Sequence, residues 1–123
     1  MPHARVILYR EVDGTVPLLD WLARLPPKAK AKCLERLQRL RELGHELRRP
    51  HADYLRDEIY ELRAKWGTVN YRRLYFFHGS VAAVVSHGIV KEGRVPPKAI
   101  DWARERKRKF ETDPGRHTFE EEV

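Results

Sequence analysis

The chain has 123 residues, a formal net charge of +7 at pH 7 and one cysteine, Cys33. This length suits one domain with a single hydrophobic core. One cysteine excludes a disulfide within the chain and a cysteine-based metal site. No apolar run is long enough to span a membrane and the N-terminus has no hydrophobic signal region, so we expect a cytoplasmic protein.

Charge is distributed unevenly along the chain. From Glu111 onward, five acidic residues stand against one arginine, so this segment carries −4 and residues 1–110 carry the difference from +7, which is +11. We therefore divide the chain into one basic domain, residues 1–110, and an acidic, flexible tail, residues 111–123. A domain this basic favours an anionic partner, most often a nucleic acid, although a basic charge can also simply keep a protein soluble.

The first half of the chain predicts one strand followed by two helices. Residues 5–12 are typical of an opening strand, and Pro17 suits the first turn of the helix that follows. Residues 28–43 predict the clearest helix, because apolar side chains including Cys33 recur along one stripe and lysines and arginines fill the rest. Residues 46–57 are expected to form a connector.

The second half predicts three strands and a last helix. Residues 59–65 alternate in character and residues 70–77 are rich in aromatic side chains, and both patterns are typical of strands. Residues 81–90 are apolar on both faces, as expected of a central strand. A charged loop at residues 91–94 leads to the last helix, which has a strongly basic face and carries Trp102 beside its apolar residues.

These elements predict an α+β domain with the order β-α-α-β-β-β-α. Two helices can cover one face of an antiparallel sheet, and the other face is then left open. An open sheet face that carries positive charge can hold a strand of RNA.

Three arginines, Arg63, Arg72 and Arg73, lie on the predicted core strands, where guanidinium groups need a reason. One reason is a salt bridge to Glu61, or a side chain that reaches the rim of the sheet. Another is a cationic floor that binds a phosphate backbone. In a regular strand Arg72 and Arg73 point to opposite faces, so the two cannot both serve one surface.

The core sequence resembles the RelE/ParE toxin superfamily, and in particular its HigB-like, phage-type branch. Four pieces of sequence occur in the order and spacing of that branch. They are Ile59-Tyr60-Glu61-Leu62-Arg63 after Leu55, Tyr71-Arg72 with Leu74-Tyr75-Phe76-Phe77, His87-Gly88-Ile89-Val90-Lys91, and Pro97 with Ala99-Ile100 and Ala103. The match runs up to Phe110 and implies a RelE-like fold: a small, twisted, antiparallel-dominated sheet with two N-terminal helices on one face and a C-terminal helix.

The resemblance also implies a function. It is that of a type II toxin that cuts mRNA on the ribosome, without metal or other cofactor, by attack of a ribose 2′-hydroxyl on the neighbouring phosphate. Such a reaction needs a base, charge stabilisation on the phosphorane and an acid for the leaving oxygen. The implied partners are mRNA on the ribosome and a HigA-like helix-turn-helix antitoxin, and the toxin alone is expected to be monomeric.

The family pattern assigns roles to four catalytic candidates. Arg72 matches the arginine that contacts the scissile phosphate, and Arg63 matches a second phosphate clamp at the end of the preceding strand. Both stay protonated at neutral pH, so they can only stabilise charge. Lys91 falls near the basic residue after the last strand and is a candidate proton donor or base. His87 is the other candidate for proton transfer, although a hydrogen-bonded sheet histidine is the commoner situation.

Four further residues are candidate RNA contacts. Matching the family puts Arg72 on the open face and Arg73 towards the helices, from which Arg73 is expected to reach a rim. Tyr60 and Tyr71 are candidates for base stacking, although core packing is commoner for such tyrosines. Arg94 lies in the charged loop. The six histidines show no metal-ligand spacing, and no metal is expected.

The sequence departs from the family at three places, and these departures leave two other functions open. Ile59 and Glu61 replace lysines of RelE, Glu92 replaces the usual second lysine, and RelE's C-terminal catalytic tyrosine has no match between Pro96 and Trp102. One alternative is a ParE-like gyrase inhibitor, which shares the fold but binds protein. The other is a non-catalytic RNA- or protein-binding module on the same scaffold.

Overall fold

The structure is a computed structural model that describes residues 4–79 and 82–120. Within these residues the chain forms a mixed sheet and helices, which confirms the α+β class. The elements in chain order are β1 (Arg5–Tyr9), α1 (Pro17–Ala23), α2 (Pro27–Leu43), a 3-10 turn (Gly44–Glu46), β2 (Ala52–Arg56), β3 (Ile59–Trp66), β4 (Val69–His78), β5 (Ala82–Val90), α3 (Pro97–Thr112) and β6 (Thr118–Phe119).

Each of the α-helices in this part of the chain begins at a proline, namely Pro17, Pro27 or Pro97. Proline suits this place because its ring presets a helical φ and its missing N–H is one that a first turn cannot bond anyway. None of the helices that the structure describes is both long and apolar enough to cross a membrane.

The strands form one sheet in the order β2-β3-β4-β5-β1-β6. All neighbouring pairs are antiparallel except β1 and β5, which run parallel. A parallel pair needs a crossover connection, and α1 and α2 lie within the long connection between β1 and the rest of the sheet. The predicted turn before β5 includes Ser80, which lies outside the described residues, as does Val81 at the start of the predicted strand.

Two apolar cores lie on opposite faces of the sheet. One core joins α1 and α2 to residues such as Leu62 and Tyr75, and the other joins α3 to residues such as Ile59, Phe76 and Val84. The sequence predicted the two N-terminal helices on one face correctly. The prediction that the opposite face is open was wrong, because α3 packs on that face and covers part of it.

The connector predicted for residues 46–57 contains a strand, β2, which forms one edge of the sheet beside β3. Its turn into β3 consists of Asp57 and Glu58, which both have positive φ, at 53° and 66°. Two such residues match the twist that joins neighbouring antiparallel strands, but Asn-Gly or Asp-Gly is the usual sequence signal. Without that signal the hairpin was missed.

The acidic tail also differs from the prediction of a loose segment. Helix α3 continues to Thr112, and β6 pairs with β1 through Leu8 opposite Phe119. His117 is buried, stacks on Tyr9 with ring centroids 5.1 Å apart, and its Nδ1 lies 2.8 Å from the carbonyl oxygen of Arg10. Residues 111–120 therefore have a defined place at the β1 edge, and residues 121–123 lie outside the described part.

Gly88 on β5 allows α1 to approach the sheet, which gives a test of this packing. A Cβ at Gly88 would lie 2.3 to 2.5 Å from ring atoms of the buried Trp21. Gly88→Ala should therefore lower the free energy of unfolding by about 2 to 3 kcal/mol, as in other overpacked cores, measured by chemical or thermal unfolding. Gly115→Ala is the matched control, because nothing lies within 4 Å of its added Cβ. Equal effects of the two substitutions would contradict this packing.

Candidate functional site

Two arginines predicted as phosphate clamps lie directly opposite each other on neighbouring strands. Arg63 on β3 pairs with Arg72 on β4. Side chains of directly opposed residues share one face of a sheet, and here it is the face that α3 partly covers. The side chain of Arg63 is 37% exposed and that of Arg72 only 10%. The two therefore share a face, but Arg72 lies largely below the surface.

A buried carboxylate, Glu61, holds this pair together. Glu61 is 2% exposed and lies two residues before Arg63 on the same strand and face. Arg63 Nε donates to Glu61 Oε1 at 2.8 Å, and the Arg72 guanidinium lies 3.7 Å from the same oxygen. Two guanidiniums placed opposite each other repel, so a carboxylate between them offsets the cost of this arrangement. The hydrogen bond to Glu61 also raises the pKa of Arg63.

The edge strand β2 extends the charged network. Asp53 forms an ion pair with Arg49, whose Nη2 lies 2.9 Å from Asp53 Oδ2. The same oxygen lies 3.5 Å from Arg63 Nη2. The hydrogen bond from Arg49 is the main cause that lowers the pKa of Asp53. The three guanidiniums and two carboxylates leave one net positive charge. Arg72 Nε is buried and has no hydrogen-bond acceptor among the described residues, so this N–H is a donor left unused by the protein.

Arg73 was wrongly predicted as an RNA contact that reaches a rim. It lies on the opposite face from Arg72, as the alternation of β4 requires, and α2 covers it completely. Its Nη1 donates to the carbonyl oxygen of Cys33 on α2, and burial lowers its pKa to about 10. Arg73 is therefore part of the interior between the sheet and α2, and RNA cannot reach it without moving that helix.

The two tyrosine candidates lie on the same face as Arg73, the face that α1 and α2 cover. Tyr71 is 5% exposed and packs edge-on against Trp21 of α1, so its assignment as an RNA contact is corrected to a core residue. Tyr60 is half-buried in an aromatic cluster, where its ring centroid lies 5.4 Å from that of Tyr75 and 5.2 Å from that of Tyr54. Neither ring shares the face of the paired arginines.

His87 lies on the same face as the arginines, on β5 opposite Leu74. It is 6% exposed, and its Nδ1 lies 2.8 Å from Ser86 Oγ, which in turn accepts from Arg106 of α3 at 3.3 Å. Burial is the main cause that lowers its pKa, to about 4, and Arg106 adds to the effect. The imidazole is therefore neutral at pH 7 and cannot act there as a general acid.

Lys91 and Arg94 lie in the exposed loop between β5 and α3. The Lys91 backbone N–H donates to the carbonyl oxygen of Asn70 at 3.4 Å, which places the start of the loop beside β4. Within residues 4–79 and 82–120, neither side chain forms an ion pair or a hydrogen bond with another residue. The structure brings Arg63, Arg72 and His87 to one face. The loop that carries Lys91 and Arg94 is joined to β4 by a backbone hydrogen bond.

Three residues on the face of the paired arginines were not predicted from the sequence, for different reasons. Asp53 was missed because β2 was taken as a connector. Arg106 and Trp102 were placed on the last helix, but only the packing of α3 on the sheet brings them beside His87. Among the described residues, no group of three or more histidine, cysteine, aspartate and glutamate side chains could hold a metal ion.

The depressed pKa of His87 predicts a specific dependence of stability on pH. Between pH 6.5 and about 4 the unfolded chain binds a proton at His87 and the folded chain does not, so acidification favours unfolding. Acidification across this range should lower the free energy of unfolding of wild type by up to about 3 kcal/mol more than that of His87→Gln, measured by chemical denaturation. His78→Gln is the control that keeps His87. Identical pH profiles for wild type and His87→Gln would contradict the buried, neutral imidazole.

A family comparison identifies the chain more closely. Residues 20–108, more than half of the chain, match the model of the family described as Phage derived protein Gp49-like (DUF891). This range contains the paired arginines, Glu61 and His87. A search of curated proteins returns no significant match. The chain therefore belongs to the phage-derived Gp49-like family, a family of RelE/toxin-like proteins.

Proposed function

We propose that the chain is a HigB-like toxin of a type II toxin-antitoxin system and that it cuts mRNA on the ribosome. The observation that carries this proposal is the Arg63–Arg72 pair on one face of the sheet, with Arg72 Nε unpartnered among the described residues. Membership of a family of RelE/toxin-like proteins supports it. The net charge of +7 suits a polyanionic partner.

The proposed reaction is an internal transfer at one phosphate. A ribose 2′-oxygen attacks the adjacent phosphorus, its proton passes to a base, and the bond from phosphorus to the 5′-oxygen breaks as that oxygen takes a proton from an acid. The products are a 2′,3′-cyclic phosphate and a 5′-hydroxyl. In this scheme Arg63 and Arg72 stabilise the extra charge on the phosphorane, and Glu61 keeps the two guanidiniums in register.

Proton transfer is assigned within this proposal to Lys91 and His87. Neutral His87 suits a base rather than an acid at pH 7, although a pKa of about 4 makes it a weak one. Lys91 is exposed in the loop after β5 and remains the candidate acid. RNA bound on the ribosome would have to bring this loop towards Arg72 for the lysine to act.

The proposed partners follow from the toxin assignment. They are mRNA in the ribosome and a small HigA-like helix-turn-helix antitoxin, and the isolated toxin is proposed to be a cytoplasmic monomer. The candidate antitoxin contact is the lysine- and arginine-rich surface of α2, because β1 is paired on both edges and buried at Val6–Tyr9.

A non-catalytic binding module is a second candidate, and two observations favour it. The side chain of Arg72 is only 10% exposed, and His87 is buried with its Nε2 unpartnered among the described residues. Such a protein would bind RNA, the ribosome or an antitoxin through the same face without cutting RNA.

Expression of the toxin alone in bacteria separates these functions. Wild type should arrest growth and create new mRNA 5′ ends inside translated codons. Arg72→Gln should abolish both, because losing one charge-stabilising group typically lowers a catalytic rate by about 100-fold to 1000-fold. Growth curves and mapping of 5′ ends provide the measurement.

Arg39→Gln is the matched control, because Arg39 is an exposed arginine on α2, which packs on the opposite face of the sheet. It should arrest growth like wild type. Full toxicity of a folded Arg72→Gln protein would refute the assigned role. Arrest without new 5′ ends would indicate a different target such as gyrase, and no arrest by folded wild type would favour the binding module.

A further inference from the structure

An exposed indole lies next to the candidate site. Trp102 on α3 is 51% exposed, whereas Trp21 is buried at 8% in the core beneath α1. A single exposed aromatic ring is common at protein surfaces, so the neighbours of Trp102 decide whether it forms part of a site. The tryptophan belongs to neither the phosphate-clamping pair nor the proton-transfer candidates.

The indole is held in place by neighbours that orient it. Its ring packs edge-on against the imidazole of His87, with centroids 5.8 Å apart. Lys98, one helical turn earlier on α3, places its Nζ 5.3 Å from the centroid of the indole. The ring is therefore pre-positioned beside a cation, which reduces the entropy that a ligand must overcome on binding.

The indole also lies on the same side of the sheet as Arg72. His87, which it contacts, pairs with Leu74, and Leu74 lies two residues from Arg72 on the same face of β4. Ile89 lies directly opposite Arg72 on β5 and packs against the apolar core that α3 shares. A chain of nucleotides that runs from Arg72 past Ile89 and His87 would therefore reach the indole.

We propose that Trp102 and Lys98 form a nucleotide subsite for single-stranded RNA, in which a base stacks on the indole, Lys98 contacts its phosphate, and the neighbouring phosphate reaches Arg72. Stacking on an aromatic ring accepts any base, because every base has a π face, so this subsite adds affinity rather than sequence choice. The subsite rests on the proposed RNA-binding function, but it does not require that the RNA be cut.

Binding of a non-cleavable RNA tests the subsite directly. The probe is hexauridylate with 2′-O-methyl groups and a 5′ fluorescein label, and its affinity is measured by fluorescence anisotropy at low salt. Because the 2′-oxygen is blocked, loss of chemistry cannot be mistaken for loss of binding. Trp102→Ala should weaken binding by about 5-fold to 100-fold, and Trp102→Phe should restore most of the affinity because it keeps an aromatic face.

Trp66→Ala is the matched control. Trp66 is a comparably exposed tryptophan, at 38%, but by strand alternation it lies on the opposite face of β3 from Arg63. Its loss should leave the affinity within about 2-fold of wild type. Thermal unfolding of each variant shows whether it is folded.

The outcomes separate the subsite from the nuclease proposal. RNA affinity that depends on Trp102, with no mRNA cleavage in cells, supports the subsite and refutes the proposed nuclease function. Cleavage that depends on Arg72, with unchanged RNA affinity of Trp102→Ala, overturns the subsite and leaves the indole as a surface for a protein partner. Absence of saturable binding by wild type, or equal losses in Trp102→Ala and Trp66→Ala, also overturns it.

Discussion

Two arginines lie directly opposite each other on neighbouring strands, and a buried carboxylate is what makes this placement stable. Arg63 and Arg72 would repel without a partner, and Glu61 would be too costly to bury without cations. Each group therefore depends on the other two. The strand register places both guanidiniums on one face, and Glu61 contacts both of them there, where a phosphate could take over part of the pairing.

The alternation of β4 separates two adjacent arginines into different roles. Arg72 faces the charged network, whereas Arg73 is enclosed beneath α2 and donates to the carbonyl oxygen of Cys33. The sheet thus divides the chain into a structural side, under α1 and α2, and a side that α3 covers only in part. The partial cover explains how the domain has two apolar cores and still presents Arg63, with Trp102 on the helix beside it.

Local patterns in the sequence were enough to predict the class and most elements, whereas the side on which Arg72 lies was assigned from the resemblance to the toxin family. Prolines start the helices, and strand alternation separates Arg72 from Arg73, so both features can be read without tertiary information. The strand β2 could not be predicted in this way, because the turn that joins it to β3, Asp57 and Glu58, lacks a glycine signal. The contact of Trp102 with His87 depends on how α3 packs across β5, and the burial of Tyr71 depends on Trp21 far away in sequence.

The most direct test of the proposed nuclease function is single-turnover cleavage of mRNA by the purified protein on programmed ribosomes, with the protein at saturating concentration. We expect wild type to leave 2′,3′-cyclic phosphate and 5′-hydroxyl ends, and Arg63→Gln and Arg72→Gln each to lower the rate constant by about 100-fold or more while remaining bound. Glu61→Gln should lower it less, because both guanidiniums stay charged. Cleavage by folded Arg72→Gln at the wild-type rate would contradict the claim that the paired arginines stabilise the transition state.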